Sequence, residues 1–105
     1  MSEIVQIINK IRDSRLIKID VDYLKSIVNM TFEKNDVTFN LNLKDISKVD
    51  VFDDKIHLEY VSNVKFFKDE KNQYLLSLDP FNESLNQIQE EDNYVFAFKK
   101  YSLNN

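Results

Sequence analysis

The chain of 105 residues contains no glycine and no cysteine, and it has one proline and one histidine. Phosphate-cradling loops, dinucleotide-binding turns, the nucleophile elbow and the EF-hand calcium loop all need glycine where a side chain does not fit, so their standard forms are excluded. The lack of cysteine excludes disulfides, thiolate zinc sites, iron–sulfur clusters and a cysteine nucleophile. We therefore expect neither a cofactor nor a metal.

Basic clusters and long apolar runs are also missing. There are 14 Lys and Arg against 18 Asp and Glu, a net charge of −4, and Arg12 and Arg15 are the two arginines. Phosphate binding needs a basic face, so direct nucleic-acid binding is disfavoured. No run approaches the roughly 20 apolar residues of a membrane helix, and residues 1–10 do not resemble a signal peptide. We expect a cytoplasmic protein that does not bind membranes.

What the chain does contain is the composition of one globular domain spanning residues 1–105. Hydrophobic residues make up 43% and charged residues 30%, which is ordinary for a folded protein and argues against disorder. Without glycine, turns that need a positive φ must be built from asparagine and aspartate, the next most tolerant residues.

Helical spacing is clearest at the N-terminus, where Ser2 stands at a capping position. The stripe that follows consists of Ile4, Ile7, Ile8 and Ile11. A second short helix is predicted after Asp20 or Asp22, and a third helix begins at Asp79-Pro80. The apolar residues of these two helices are Tyr23, Leu24, Ile27 and Val28, and then Phe81, Leu85 and Ile88.

Strand patterns fill most of the remaining chain. A strand is predicted at 16–21 and an alternating strand at 37–43 after an Asn35-Asp36 turn. Hairpins pair 49–52 with 56–61 and 64–67 with 74–78, and a last strand covers 94–101. Because the strands are grouped, the pattern predicts an α+β fold: one or two N-terminal helices, an antiparallel sheet of about five strands, and one helix before the last strand.

Residues that could carry chemistry are few. His57 could act as a general base oriented by Glu59, but no nucleophile or second metal ligand is marked by spacing, and a half-buried sheet residue is the simpler interpretation. Asp53-Asp54-Lys55 is similar to the carboxylate–lysine end of a metal-dependent nuclease site, but a glycine-free hairpin turn made of aspartates is the favoured interpretation. We predict no catalytic residues and no enzyme.

Two acidic runs are the candidate partner-binding residues. The first comprises Asp50, Asp53 and Asp54, and the second comprises Glu90, Glu91 and Asp92. Charge complementarity speeds the encounter of two proteins, so these runs predict a protein partner with a basic surface.

The segment Tyr-Leu-Leu-Ser-Leu-Asp-Pro-Phe-Asn-Glu at 74–83, followed by Asp-Asn-Tyr-Val-Phe at 92–96, resembles the immunity proteins that neutralise bacterial toxins and phage-encoded inhibitors of host defence. The resemblance is one of general character and implies no specific residue role. It implies steric and electrostatic occlusion of a toxin or other effector. The alternatives are a dimeric secretion chaperone or scaffold subunit that uses the isoleucine stripe as its seam, and an enzyme of unfamiliar type. The oligomeric state stays open.

Overall fold

A short helix and two antiparallel sheets make up the described part of the chain. The computed structural model describes residues 3–51, 60–82 and 86–104. The elements are α1 (Glu3–Ile11), β1 (Arg15–Asp22), β2 (Ile27–Lys34), β3 (Val37–Lys44), β4 (Lys48–Asp50), β5 (Lys65–Lys68), β6 (Tyr74–Asp79), β7 (Asn93–Phe98) and β8 (Lys100–Asn104). Sheet A has the order β1-β2-β3-β8, and sheet B has the order β4-β7-β6-β5. The α+β class and the antiparallel pairing are confirmed, but the prediction of about five strands is wrong, because eight are described.

The alternating pattern of β2 and β3 decides which face of sheet A is buried. Phe32 lies opposite Phe39 in the register, and their rings stack at 5.3 Å. Met30 and Leu41 form the next buried pair along the same face. The residues between them are polar, as expected for a sheet with one solvated face.

Two of the passages of the chain between the sheets lie side by side. The first runs from Lys44 to Lys48 and the second runs through Lys99. The Ser47 N–H donates to the Ala97 carbonyl at 2.8 Å, and the Lys99 N–H donates to the Lys44 carbonyl at 3.2 Å. The predicted last strand is therefore split, since β7 belongs to sheet B and β8 to sheet A.

Helix α1 supplies the isoleucine stripe to the protein's own core. Ile7 and Ile11 are fully buried, and Ile4 and Ile8 pack against the same cluster. The Lys34 ammonium donates to two carbonyls at the end of the helix, those of Asn9 and Arg12, at 3.0 and 2.8 Å. A cation there also favours the helix dipole. The stripe therefore packs mainly against the protein's own core, which is the alternative to a dimer seam.

An aromatic cluster joins β8 to sheet B and to the start of α1. The Tyr101 ring lies 5.0 Å from the Tyr74 ring and 5.5 Å from the Phe66 ring, both edge-on. Burial, followed by the negative charge of Glu3, raises the pKa of the Tyr101 phenol to about 12. The phenol is therefore neutral at physiological pH.

Asparagine and aspartate make most of the turns with positive φ, as the sequence predicts. Five of the seven such residues in the described ranges are of these two types: Asp13, Asn35, Asp36, Asp45 and Asn72. Asn35 and Asp36 have φ of 54° and 64° and join β2 to β3 directly. This is the mirror-image turn that fits the twist of a two-residue hairpin.

The predicted helix after Asp20 or Asp22 is wrong. The segment is the β1–β2 hairpin loop, because Asp22 Oδ1 accepts hydrogen bonds from the N–H groups of Leu24 and Lys25 at 3.1 and 3.2 Å. Ser26 has a φ of 55°, which a right-handed helix does not allow. Ile27 and Val28 instead begin β2.

The helix predicted from Pro80 to Ile88 is also not found: residues 80–82 and 86–92 are irregular, and 83–85 lie outside the described ranges. Instead, the Asp92 carboxylate accepts hydrogen bonds from the N–H groups of Phe81 and Gln89. Of the hairpin predicted around 53–55, the first strand is β4, and 52–59 lie outside the described ranges. The hairpin of β5 and β6 is confirmed.

Glycine should improve the β2–β3 turn. We expect Asp36→Gly to stabilise the fold by about 0.5 kcal/mol, because glycine accepts a positive φ without steric cost and is preferred at this turn position. The measurement is the urea midpoint of unfolding. Thr38→Gly, in the neighbouring strand, is the control and should lower the midpoint; a lower midpoint for Asp36→Gly as well would contradict the explanation.

Candidate functional site

The structure positions four of the six predicted partner-binding residues. Asp50 is exposed at the end of β4, and Glu90 and Glu91 are exposed in the turn before β7. Asp92 is buried. Asp53 and Asp54 lie outside the described residues, as does His57, so those predictions stay predictions.

Three of these acids meet at one end of sheet B. Asp50 pairs with Val95 near the start of β7, and Asp79 at the end of β6 pairs with Asn93. Because β7 runs antiparallel to both neighbours, the last residues of β4 and β6 and the first residues of β7 lie at the same end of sheet B. We call Asp50, Asp79, Glu90 and Glu91, all exposed, the acidic end. Sequence reasoning missed Asp79, which was assigned as a helix cap.

Asp92 does not belong to this exposed surface, which corrects its assignment as a partner-binding residue. Its carboxylate forms an ion pair with the Lys65 ammonium at 2.7 Å, and the two side chains are 0% and 1% exposed. A partner would have to break this pair to contact Asp92.

The Lys65–Asp92 pair fastens the 80–92 segment to sheet B. Lys65 Nζ also donates to the Gln87 carbonyl at 2.8 Å. The two oxygens of Asp92 accept from the Phe81 N–H at 2.7 Å and from the Gln89 N–H at 2.8 Å. One buried carboxylate therefore binds the backbone at two positions, Phe81 and Gln89, that precede Glu90 and Glu91 in the chain.

These bonds set the protonation state of Asp92. Burial by itself raises the pKa of the carboxyl group, but the Gln89 N–H and the Lys65 ammonium act against it. With the Phe81 N–H they outweigh burial, so the pKa of Asp92 lies below its ordinary value of 3.8. The charged pair is intact at neutral pH.

Tyr94, two residues after Asp92, has a strained backbone conformation. Tyr94 is 1% exposed and lies within β7, yet its φ is 52°. The Asn93 carboxamide accepts from the Tyr94 N–H at 2.9 Å, and the Ser77 hydroxyl donates to the Asn93 carbonyl at 2.7 Å. A bulky side chain in this region costs on the order of 1–3 kcal/mol, and such strain tends to cluster at functional sites. The strained residue follows Glu90 and Glu91 by four and three positions in the chain.

One feature of the sequence indicated the Lys65–Asp92 pair. Lys65 interrupts the apolar run of 64–67, and Asp92 directly precedes the apolar strand β7. A charge inside a run that is otherwise buried needs an opposite charge. The sequence alone did not select Asp92 among 18 acids.

A cavity of about 410 Å³ lies on the outer side of sheet B, between the β5–β6 turn and residues 86–88. Phe67, Leu75 and Ile88 contribute its apolar lining, and Lys68 and Lys71 contribute charge. Among the described residues, no group of three His, Cys, Asp or Glu could hold a metal ion, and no helix is long and apolar enough to cross a membrane.

Comparison with known proteins assigns no family. No family model matches the chain, and neither a curated protein nor a solved structure matches it.

Breaking the buried pair should cost far more than breaking an exposed one. We expect Lys65→Met, which leaves the Asp92 carboxylate buried without its cation, to lower the unfolding free energy by about 3–5 kcal/mol. The control is Lys18→Met, because Lys18 and Asp20 form an exposed pair at 3.4 Å that should contribute at most about 1 kcal/mol. Urea denaturation measures both. Equal losses would contradict a structural role for Lys65–Asp92.

The depressed pKa of Asp92 also predicts a pH dependence. The contribution of this carboxylate is fully present above its unfolded pKa, about 3.9, and is lost as pH falls towards its lower folded pKa. The unfolding free energies of the wild type and of Asp92→Asn should therefore differ by a constant amount above about pH 5 and converge below about pH 4. A difference that stays constant into strong acid would refute the assignment.

Proposed function

We propose that this chain is a small acidic protein-binding module, an inhibitor of the immunity-protein kind, which blocks a toxin or other effector by covering a basic surface. The observation that carries the proposal is the acidic end. Two acidic runs that are 40 residues apart in the sequence contribute exposed carboxylates to the same end of sheet B, where Asp79 joins them.

Charge concentration supports a basic partner. Charges within roughly a Debye length, about 8 Å at physiological salt, reinforce one another. Such a field speeds the encounter with a positively charged cleft and opposes approach by phosphates. A toxin that binds nucleic acid offers such a cleft.

Rigidity supports a binding role as well. The Asp92 carboxylate fixes the backbone at Phe81, two residues after Asp79, and at Gln89, directly before Glu90. A surface held in place before binding loses less conformational entropy in the complex.

An aromatic anchor accompanies the charges. The Phe81 ring is 64% exposed although its N–H is bound to Asp92. Large aromatic side chains often dominate binding energy when a partner pocket buries them. The mechanism is steric and electrostatic occlusion, without bond making or breaking.

Charge reversal at the acidic end should abolish inhibitor-type binding. The tagged wild-type chain is used to recover binding proteins from an extract of the producing cells at about 50 mM salt, where electrostatic attraction is weakly screened. We expect one basic protein, and Glu90→Lys/Glu91→Lys should lower its association rate constant at least about tenfold, because the two lysines cancel the charges of Asp50 and Asp79 and remove the steering field.

The control is Asp20→Lys/Glu70→Lys, which changes the net charge equally at two exposed positions outside the acidic end. It should retain most of the wild-type association rate, measured by biolayer interferometry over a salt series. An equal loss in both variants would reduce the effect to net charge, and recovery of no basic protein would count against the function itself.

A further inference from the structure

A second charged surface, which is positive whereas the acidic end is negative, lies where the chain crosses between the sheets. Its five exposed lysines are Lys25, Lys44, Lys48, Lys99 and Lys100. Lys44 and Lys48 flank the first crossing, and Lys99 and Lys100 follow the second. The β1–β2 loop joins them because the Ile46 N–H donates to the Ser26 carbonyl at 3.2 Å. We call this surface the crossover end.

The arrangement of these lysines is unfavourable within one chain. Lys44 and Lys100 lie directly opposite each other on β3 and β8, and like charges in such pairs destabilise a sheet. Asp45 compensates little, because its contact with Lys100 is 3.9 Å long and both side chains are more than half exposed. An acidic partner would relieve the repulsion.

The crossover end also presents the most exposed apolar residues of the described ranges. Tyr23 is 79% exposed and Leu24 is 99% exposed. Hydrogen bonds to Asp22 fix the loop that carries them. Beside the loop is a cavity of about 210 Å³, whose apolar lining includes Val21, Tyr23, Ile27, Val28, Ile46 and Val49. A cavity of this kind accepts a side chain better than it accepts a phosphate.

The acidic end has the complementary composition. Its carboxylates are accompanied by the exposed Phe81 and by Val51, which is 39% exposed. We propose that the crossover end of one copy binds the acidic end of a second copy, with apolar side chains at the centre and opposite charges around them. Tyr23 and Leu24, exposed beside the lysines, favour a protein surface over nucleic acid as the occupant. A second copy offers acids and apolar side chains together on a defined surface.

The two ends lie at opposite ends of β7, next to Asn93 and to Phe98. A contact between two different surfaces leaves one of each kind free, so association continues beyond a dimer. This inference goes beyond the proposed function. A basic partner on the acidic end would compete with self-association.

Charge reversal at each end provides the test. Lys44→Glu/Lys100→Glu cancels the positive charge of the crossover end, and Glu90→Lys/Glu91→Lys cancels the negative charge of the acidic end, while each variant keeps its other end unchanged. Sedimentation velocity is run from about 10 μM to about 1 mM protein at about 50 mM and about 500 mM salt, which bracket weak and strong screening. Wild-type mass should rise from 12.5 kDa with concentration at low salt and return to monomer at high salt.

Each reversal variant alone should remain monomeric, and an equimolar mixture of the two should associate again, because opposite charges then face each other. Leu24→Ala should weaken wild-type association about tenfold, as expected for a central apolar anchor. Circular dichroism melting of every variant shows whether it is folded, and recovery in the mixture itself requires folded chains.

A wild type that is monomeric at about 1 mM and low salt would overturn the proposal. So would association that neither reversal abolishes, or a monomer that sediments with phosphatidylserine vesicles, which would assign the Tyr23–Leu24 loop to a lipid surface. Lys44→Glu/Lys100→Glu should keep full affinity for the basic protein recovered by pull-down. Failure of self-association is thereby separate from failure of the inhibitor function.

Discussion

The acidic surface depends on one buried interaction, the ion pair between Lys65 and Asp92. A buried pair is a poor way to gain stability, since well-packed apolar side chains often do as well. Here the role of the pair is to fix the position of the backbone around it. Asp92 accepts from Phe81 and Gln89 as well as from Lys65, so residues 80–82 and 86–92 are held against sheet B by one carboxylate. The strain at Tyr94 lies two residues further on, where the segment must enter β7.

The second constraint is the pair of adjacent crossings between the sheets. Because β3 continues into β4 and β7 continues into β8, one bent ribbon supplies strands to both sheets, and the core can be closed around it. The bend brings Lys44 and Lys100 into direct opposition. The same topology that directs acids to one end of β7 therefore collects lysines at the other.

Local patterns determined how much could be predicted. The isoleucine spacing of α1, the alternation of β3 and the use of Asn35-Asp36 as a turn act over a few residues, and all three predictions are confirmed. The helix predicted after Pro80 is not found, and the contact of Asp92 with the backbone at Phe81, eleven residues earlier, is one that local spacing does not encode. Asp50, Glu90 and Glu91 of the acidic end were predicted from charge runs, but Asp79 was missed because it joins them through strand register.

Charge separation within one small domain has a consequence for its partners. A chain with a net charge of −4 is attracted to basic surfaces as a whole, and its lysine-rich crossover end favours encounters in which the acidic end faces a basic partner. Contacts at both ends are sensitive to salt, whereas Leu24 and Phe81 contribute apolar contact area that salt does not screen. The salt dependence of binding therefore measures the contribution of the charged residues, and truncation of Leu24 and Phe81 measures the contribution of the apolar contacts. The two proposed contacts share the acidic end, so binding of a basic partner and of a second copy would be thermodynamically linked. Tight binding of the basic partner would dissociate the self-associated chains.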